Sequence, residues 1–260
     1  MGIETATRSV SQVEQYEKCP YQFYLRRVER VAPRPAAWSI QGTAFHAACE
    51  AYERSDRTMT SKRAVNIYGE TYARLAKEAL ARTPDTDQWL RVKGDGTADI
   101  EERYALGAEQ TRDYVSWAAE KQPKLWKDAR SVPAIEMHLT ASLGGVKVQG
   151  YIDQLIADEG GKVRVRDLKT GSTKSKFQLA TYGALVASAL GIEAHRGDWY
   201  LAKTGKLSRP VDISEKAGHK IPERFQAMDA AVKRGDFPAR PGFQCRFCGV
   251  SHACSFGRRA

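Results

Sequence analysis

The chain has 260 residues, 42% hydrophobic and 28% charged, which fits a globular fold and excludes wholesale disorder or a fibrous repeat. Lys and Arg (41) outnumber Asp and Glu (31), and the formal net charge of +10 suits a polyanionic partner, although a solvated basic surface has the same composition. No run approaches the roughly 18 apolar residues of a membrane span, and Met1-Gly2-Ile3-Glu4 lacks the build of a signal peptide, so a cytoplasmic protein with no membrane partner is predicted.

In chain order, Ser9-Val10-Ser11-Gln12-Val13-Glu14 holds two overlapping Ser-x-x-Gln/Glu capping patterns and predicts a helix from about Val10. Cys19-Pro20 interrupts it, periodicity resumes from Tyr21 to Val31, and Pro33 and Pro35 end it. The next helix fits Gln41 to Arg54, where Phe45, Ala48, Cys49 and Tyr52 recur at helical spacing. Two more fit Lys62 to Arg82 and Asp99 to Lys121. After Pro133 the pattern becomes that of strands. Ala134 to Ser142 and Val146 to Ala157 flank a Gly144-Gly145 turn, and Asp158-Glu159-Gly160-Gly161 leads into Lys162 to Lys169, which alternates basic and apolar residues. A helix from Ser175 to Leu190, a strand from Arg196 to Ala202 and a long helix from Ser214 to Lys233 complete an α/β chain with a mixed sheet. The expected organisation is a single domain over 1–260, with N-terminal helices in 9–60 and a helical insertion in 61–132. The sheet and the helix after it occupy 133–205, and a last helix with a cysteine cluster occupies 206–260.

Charge concentrates where the strands end. Between Gly160 and Ala180 lie Lys162, Arg164, Arg166, Lys169, Lys174 and Lys176 against the single acid Asp167. A turn centred on Gly160 sets a register in which paired residue numbers sum to 320, placing Asp153 opposite Asp167, with Lys169 two residues on and on the same face as Asp167. Two carboxylates this close repel unless a cation joins them, and hard oxygen ligands suit Mg2+ or Mn2+. A surface cluster neutralised by Lys169 would use the same residues.

The cysteines number five, Cys19, Cys49, Cys245, Cys248 and Cys254, and in a chain without an export signal disulfides are not expected. Cys245, Cys248 and Cys254 form a Cys-x2-Cys-x5-Cys group suited to a soft metal centre. Cys19 would supply a fourth thiolate and tie the chain ends together. A zinc site using His252 in place of Cys19 is the alternative. Cys49 reads as a small core residue.

Asp153 with Asp167-Leu168-Lys169 resembles the Asp…(Asp/Glu)-x-Lys signature of the PD-(D/E)XK nuclease superfamily. Gly150-Tyr151-Ile152-Asp153 and Val165 to Gly171 are similar to the RecB-like exonuclease branch, whose Gly-x-x-x-His is matched by Gly42 to His46 and whose Gln-x-x-x-Tyr is matched by Gln178 to Tyr182. Cys19, Cys245, Cys248 and Cys254 resemble the four-cysteine iron–sulfur pattern of AddB nuclease domains and CRISPR-associated RecB-like nucleases. The resemblance implies a restriction-endonuclease-like mixed sheet flanked by helices. It further implies Mg2+ or Mn2+ held by His46, Asp153, Asp167 and the Leu168 backbone carbonyl, Lys169 acting on the attacking water, and a [4Fe-4S] cluster on the four cysteines, with Zn2+ the alternative there.

Gln178 and Tyr182, one helical turn apart, are expected to hold DNA, and Lys174 and Lys176 to meet phosphates. Glu50, one turn after His46, is either a supporting group or a solvated surface residue, and Glu136 is a further carboxylate that could approach the metal. The resemblance therefore implies a metal-dependent DNA exonuclease acting on single strands or free ends in recombination, repair or replication. With no Gly-x-x-x-x-Gly-Lys-(Ser/Thr) motif, its hydrolysis is expected to be ATP-independent unless a helicase or recombinase partner is recruited. Trimming of spacer DNA in CRISPR adaptation is one rival, and a non-catalytic zinc- or cluster-containing nucleic-acid-binding module is another.

Overall fold

The computed structural model describes residues 6–171 and 175–256. Lys174 and the turn residue Ser172 lie outside them. The first helices are α1 (Val10–Lys18), in which Gln12 accepts a hydrogen bond from the Ser9 amide at 3.2 Å, and α2 (Pro20–Phe23), which runs into a π-helical turn, Tyr24–Val28. The helix expected to reach Val31 therefore stops three residues early. A longer trio follows: α3 (Ala37–Arg54), α4 (Ser61–Arg82) and α5 (Gly96–Lys121). Thr60 caps α4 through the Arg63 amide and Asp95 caps α5 through the Ala98 amide.

The sheet begins with β1 (Ile135–Leu143) and β2 (Val146–Ala157), joined through Gly144 and Gly145 at φ values of 62° and 81°, a left-handed conformation that glycine adopts without strain. Next come β3 (Val163–Lys169), α6 (Lys176–Leu190), β4 (Arg196–Leu201), the two-residue strands β5 (Lys206–Leu207) and β6 (Val211–Asp212), and α7 (Ile221–Lys233). Strand order is β1-β2-β3-β4-β5, with β6 also on β4. Among these strands the pairings are antiparallel except β3 with β4, which α6 connects as a crossover. The long C-terminal helix expected from Ser214 is instead a short 3-10 turn, Glu215–Ala217, followed by left-handed Gly218 and Lys220 and then α7, whose early Pro222 favours a fresh start there.

Each face of the sheet has its own core. On one side Val148, Ile152, Leu155, Val163 and Val165 pack with residues of α1, α6 and α7. On the other, Leu168 and Tyr200 join α3, α4 and α5, where Cys49 is buried as a small core side chain. Gly150 lets α6 approach β2, because a Cβ there would lie 2.8 Å from the Tyr182 ring and 3.0 Å from Leu185.

The β2–β3 register follows the sum anticipated from the turn, with Gln154 opposite Arg166 and Ala157 opposite Val163. Buried polar groups fix the faces of both strands. Arg166 donates to both carboxylate oxygens of Asp198 on β4, at 2.7 and 2.9 Å, and to Gln122, with its guanidinium 5.4 Å from the centre of the Trp117 ring. Gln154 donates to the Tyr114 hydroxyl at 2.6 Å, and that hydroxyl donates to Glu53 at 2.7 Å.

Removing one partner from a buried ion pair leaves the other charge uncompensated. Asp198→Ala is therefore expected to lower stability by about 3–5 kcal/mol, read from the denaturant midpoint. A loss below about 1 kcal/mol, the scale of exposed pairs, would contradict this account.

Candidate active site

The site lies where β1, β2 and β3 meet the middle of α3. His46 points from α3 at the sheet, its Nδ1 3.1 Å from Glu136 Oε1 on β1 and 3.7 Å from Asp153 Oδ2 on β2. Its Nε2 donates to the backbone carbonyl of Leu168 on β3 at 3.1 Å. The Leu168 amide in turn donates to Asp153 Oδ2 at 2.6 Å. Single donor atoms of His46, Glu136 and Asp153 lie within 4.8 Å of one another, close enough to share one ion.

Asp167 is buried beside them, with Lys169 Nζ 2.9 Å from its Oδ2 and 3.1 Å from its Oδ1. Both carboxylate oxygens thus face the ammonium, and Oδ2 is fully buried. Lys169 also donates to Gln178 Oε1 at 3.1 Å, and Gln178 Nε2 donates to the Tyr182 hydroxyl at 3.0 Å. Gln178 and Tyr182, expected to share a groove, thus form a chain that ends on the lysine.

The electrostatics show a site short of positive charge. Burial pushes the Asp153 carboxyl up, His46 opposes, and Asp167 and Glu136 push further, to about 7. Burial also disfavours a charged imidazole at His46, but Asp153, Glu136 and Asp167 outweigh it and raise the ring to about 9. The Asp167 carboxyl is raised by burial against the pull of Lys169. A divalent cation relieves the same repulsion, and oxygen donors with one imidazole suit Mg2+ or Mn2+.

Glu136 belongs to the group more closely than the sequence indicated. Continuing the β1–β2 register, in which Ile135 pairs with Gln154 and Met137 with Ile152, sets it opposite Asp153. Its backbone has φ 46°, a strained value for a residue other than glycine, and this local turn of the chain presents the carboxylate to His46. No sequence pattern announces it. Glu50, by contrast, pairs with Arg54 at 2.8 Å, and Arg54 also caps the Ile135 carbonyl at 3.0 Å. Lys176 is exposed at the start of α6.

Four of the five cysteines, drawn from both ends of the chain, meet away from the core that buries Cys49. Cys19, Cys245, Cys248 and Cys254 line one apolar hollow with Leu25 and Val250, and none is in a disulfide. Burial raises the Cys248 thiol, and the other three cysteines add to the shift despite an opposing backbone hydrogen bond. His252 is exposed and does not line the hollow. Backbone bonds from Arg34 to Gly249 and from Tyr21 to Pro238 join the N- and C-terminal segments around it.

Both raised groups of the cluster act in one direction with pH. Folded Asp153 holds its proton up to about 7 against an ordinary 3.8, and folded His46 up to about 9 against 6.5, so these groups lose stability as pH rises from about 4 to about 9. The melting-temperature gain on adding Mn2+ is expected to be larger at about pH 8 than at about pH 6, and to be mostly lost in Asp153→Asn. A gain independent of pH and retained in that variant would contradict the assignment.

The sequence matches the profile of the PD-(D/E)XK nuclease superfamily over residues 7–255. It is 36% identical to the Gene 69 protein of Mycobacterium phage L5 across 95% of each chain, and 35% identical to the Gene 69 protein of Mycobacterium phage D29 across 97% of each. A crystal structure of a Eubacterium rectale protein proposed to be an exonuclease superposes with a TM-score of 0.47 at 13% identity, covering 90% of this chain and 84% of that one. The mixed sheet flanked by helices accords with the restriction-endonuclease-like fold. No helix among the described residues is long and apolar enough to cross a membrane. The match over nearly the whole length, together with the two phage relatives, shows that this chain belongs to the PD-(D/E)XK nuclease superfamily.

Proposed function

We propose that this nuclease is a metal-dependent, ATP-independent DNA exonuclease that works on single strands or free ends, in recombination, repair or replication. The observation that carries the reading is the convergence of His46, Glu136, Asp153 and the Leu168 carbonyl beside the Asp167–Lys169 pair. His46, Asp153, Asp167 and the Leu168 carbonyl would hold Mg2+ or Mn2+, with Glu136 as a further ligand. When bound, the ion supplies Lewis acidity that acidifies water and draws charge from the scissile phosphate.

Lys169 orients the attacking water and offsets charge developing on the phosphate. Asp167 pairs with that lysine at 2.9 Å and Gln178 fixes its position through the bond to Oε1. Gln178 and Tyr182 hold the DNA backbone beside the site, and Lys176, exposed at the start of α6, meets phosphates, as does Lys174 by the sequence expectation.

The four cysteines are proposed to carry a [4Fe-4S] cluster that clamps the C-terminal segment to the start of α2. Their soft thiols in an apolar hollow, drawn from both ends of the chain, support this over a zinc site that uses His252. Anaerobically purified protein should be brown and contain iron and sulfide, whereas Cys248→Ser should be colourless and should melt at lower temperature. Stoichiometric zinc without iron would replace the cluster with Zn2+.

End-labelled DNA tests the main reading. The native chain should degrade it only with Mg2+ or Mn2+ and without ATP, and Lys169→Ala should cut the rate at least about 100-fold. Survival of the DNA with the native chain, or full activity in Lys169→Ala, would overturn the reading and favour a non-catalytic nucleic-acid-binding module.

A further inference from the structure

Two aromatic rings stand in the open beside the metal-binding cluster. Tyr151 on β2 is 56% exposed, and its ring lies 4.6 Å from that of His138 on β1 at an interplanar angle of 26°, a stacked pair. The two are direct register partners. Their neighbours Met137 and Ile152 pack into the core with α6, so strand alternation turns His138 and Tyr151 to the opposite, uncovered face. Tyr151 precedes Asp153 by two residues and His138 follows Glu136 by two, a separation of about 6.7 Å along each strand. Thr140 with Gln149 and Ser142 with Lys147 continue the same face toward the hairpin turn, and none of these six residues is acidic.

The core does not need the pair. Register is already fixed by the Gly144-Gly145 turn and by Met137, Leu139 and Ile152 on the buried side. What the rings offer is a flat π surface beside the clustered carboxylates, continued toward the hairpin turn by residues of which none is acidic. A base inside a duplex has both faces stacked on its neighbours, so such a surface takes an unpaired base in preference to a paired one.

We propose that Tyr151, backed by His138, is a stacking platform that seats an unpaired base beside the cut and makes the site selective for single-stranded or frayed DNA. This rests on the nuclease reading above. Tyr151 is a positioning residue here: it holds the substrate and leaves the chemistry to the cluster. The strand would run from the cluster over the rings and on past Gln149 to Lys147, whose ammonium can meet a phosphate.

The test is steady-state cleavage, with Mn2+, of a single-stranded oligonucleotide and of a blunt duplex of the same sequence. Native protein is compared with Tyr151→Ala, Tyr151→Leu and Tyr151→Phe. On single strands KM should rise roughly ten-fold in the Ala and Leu variants with a smaller change in kcat, and Phe should stay close to native. The preference for single strands over duplex should narrow by a similar factor. A KM within about two-fold of native in Tyr151→Ala, or a Leu variant as good as Phe, would overturn the platform while leaving the nuclease reading intact. Failure of the native chain to cleave either substrate would sink both.

Discussion

The register of β2 against β3 is the constraint on which the rest of the structure depends. With Gln154 opposite Arg166, continuation of the ladder brings Asp153 level with Asp167, and the Leu168 amide can bond Asp153 Oδ2. A slip of one residue would turn every β3 side chain to the other face. Arg166 would then lose Asp198 and enter an apolar layer, while Val165 would replace it among polar groups. The buried Arg166–Asp198 pair, which joins β3 to β4, therefore fixes which face β3 presents to β2, a role for which buried ionic groups are well suited even where they add little net stability.

From that register the site follows in steps. The sheet presents three carboxylates, α3 lays His46 against two of them, Glu136 and Asp153, and α6 returns Gln178 and Tyr182 to the lysine. The cluster holds its protons above their ordinary pH range because burial disfavours the charged Asp153 carboxylate and the crowded acids hold a proton on His46. Such a site is built to bind positive charge. The same packing that raises the carboxyl groups thus prepares the affinity for a divalent ion, at a cost in stability to the metal-free chain.

Much of this was legible in the sequence, because turn chemistry and strand alternation are local. The glycines at 144–145 and 160–161 located both hairpin turns, and the paired-residue sum followed from the second. His46 was a different case: a histidine among helical apolar residues carries no signal of its own, and only the Gly-x-x-x-His resemblance singled it out. Glu136 was undervalued because its approach to His46 depends on a backbone dihedral of 46° that composition does not encode. Glu50 looked equally placed, yet Arg54 one turn later takes it. The network of Arg166, Asp198, Gln122, Gln154, Tyr114 and Glu53 draws on residues from 53 to 198 and leaves no periodic trace. The break at Gly218 to Pro222, missed within an otherwise helical pattern, was written in residue types that stop and restart helices.

The central claim is that carboxylates from β2 and β3 share one divalent ion because the register brings them together. Calorimetric titration of the metal-free protein with Mn2+ tests it most directly, comparing the native chain with Asp153→Asn and Asp167→Asn. The account predicts one tight binding event in the native chain that either substitution weakens at least about ten-fold, the second-strand residue as severely as the first. Undiminished Mn2+ affinity in Asp167→Asn would contradict it.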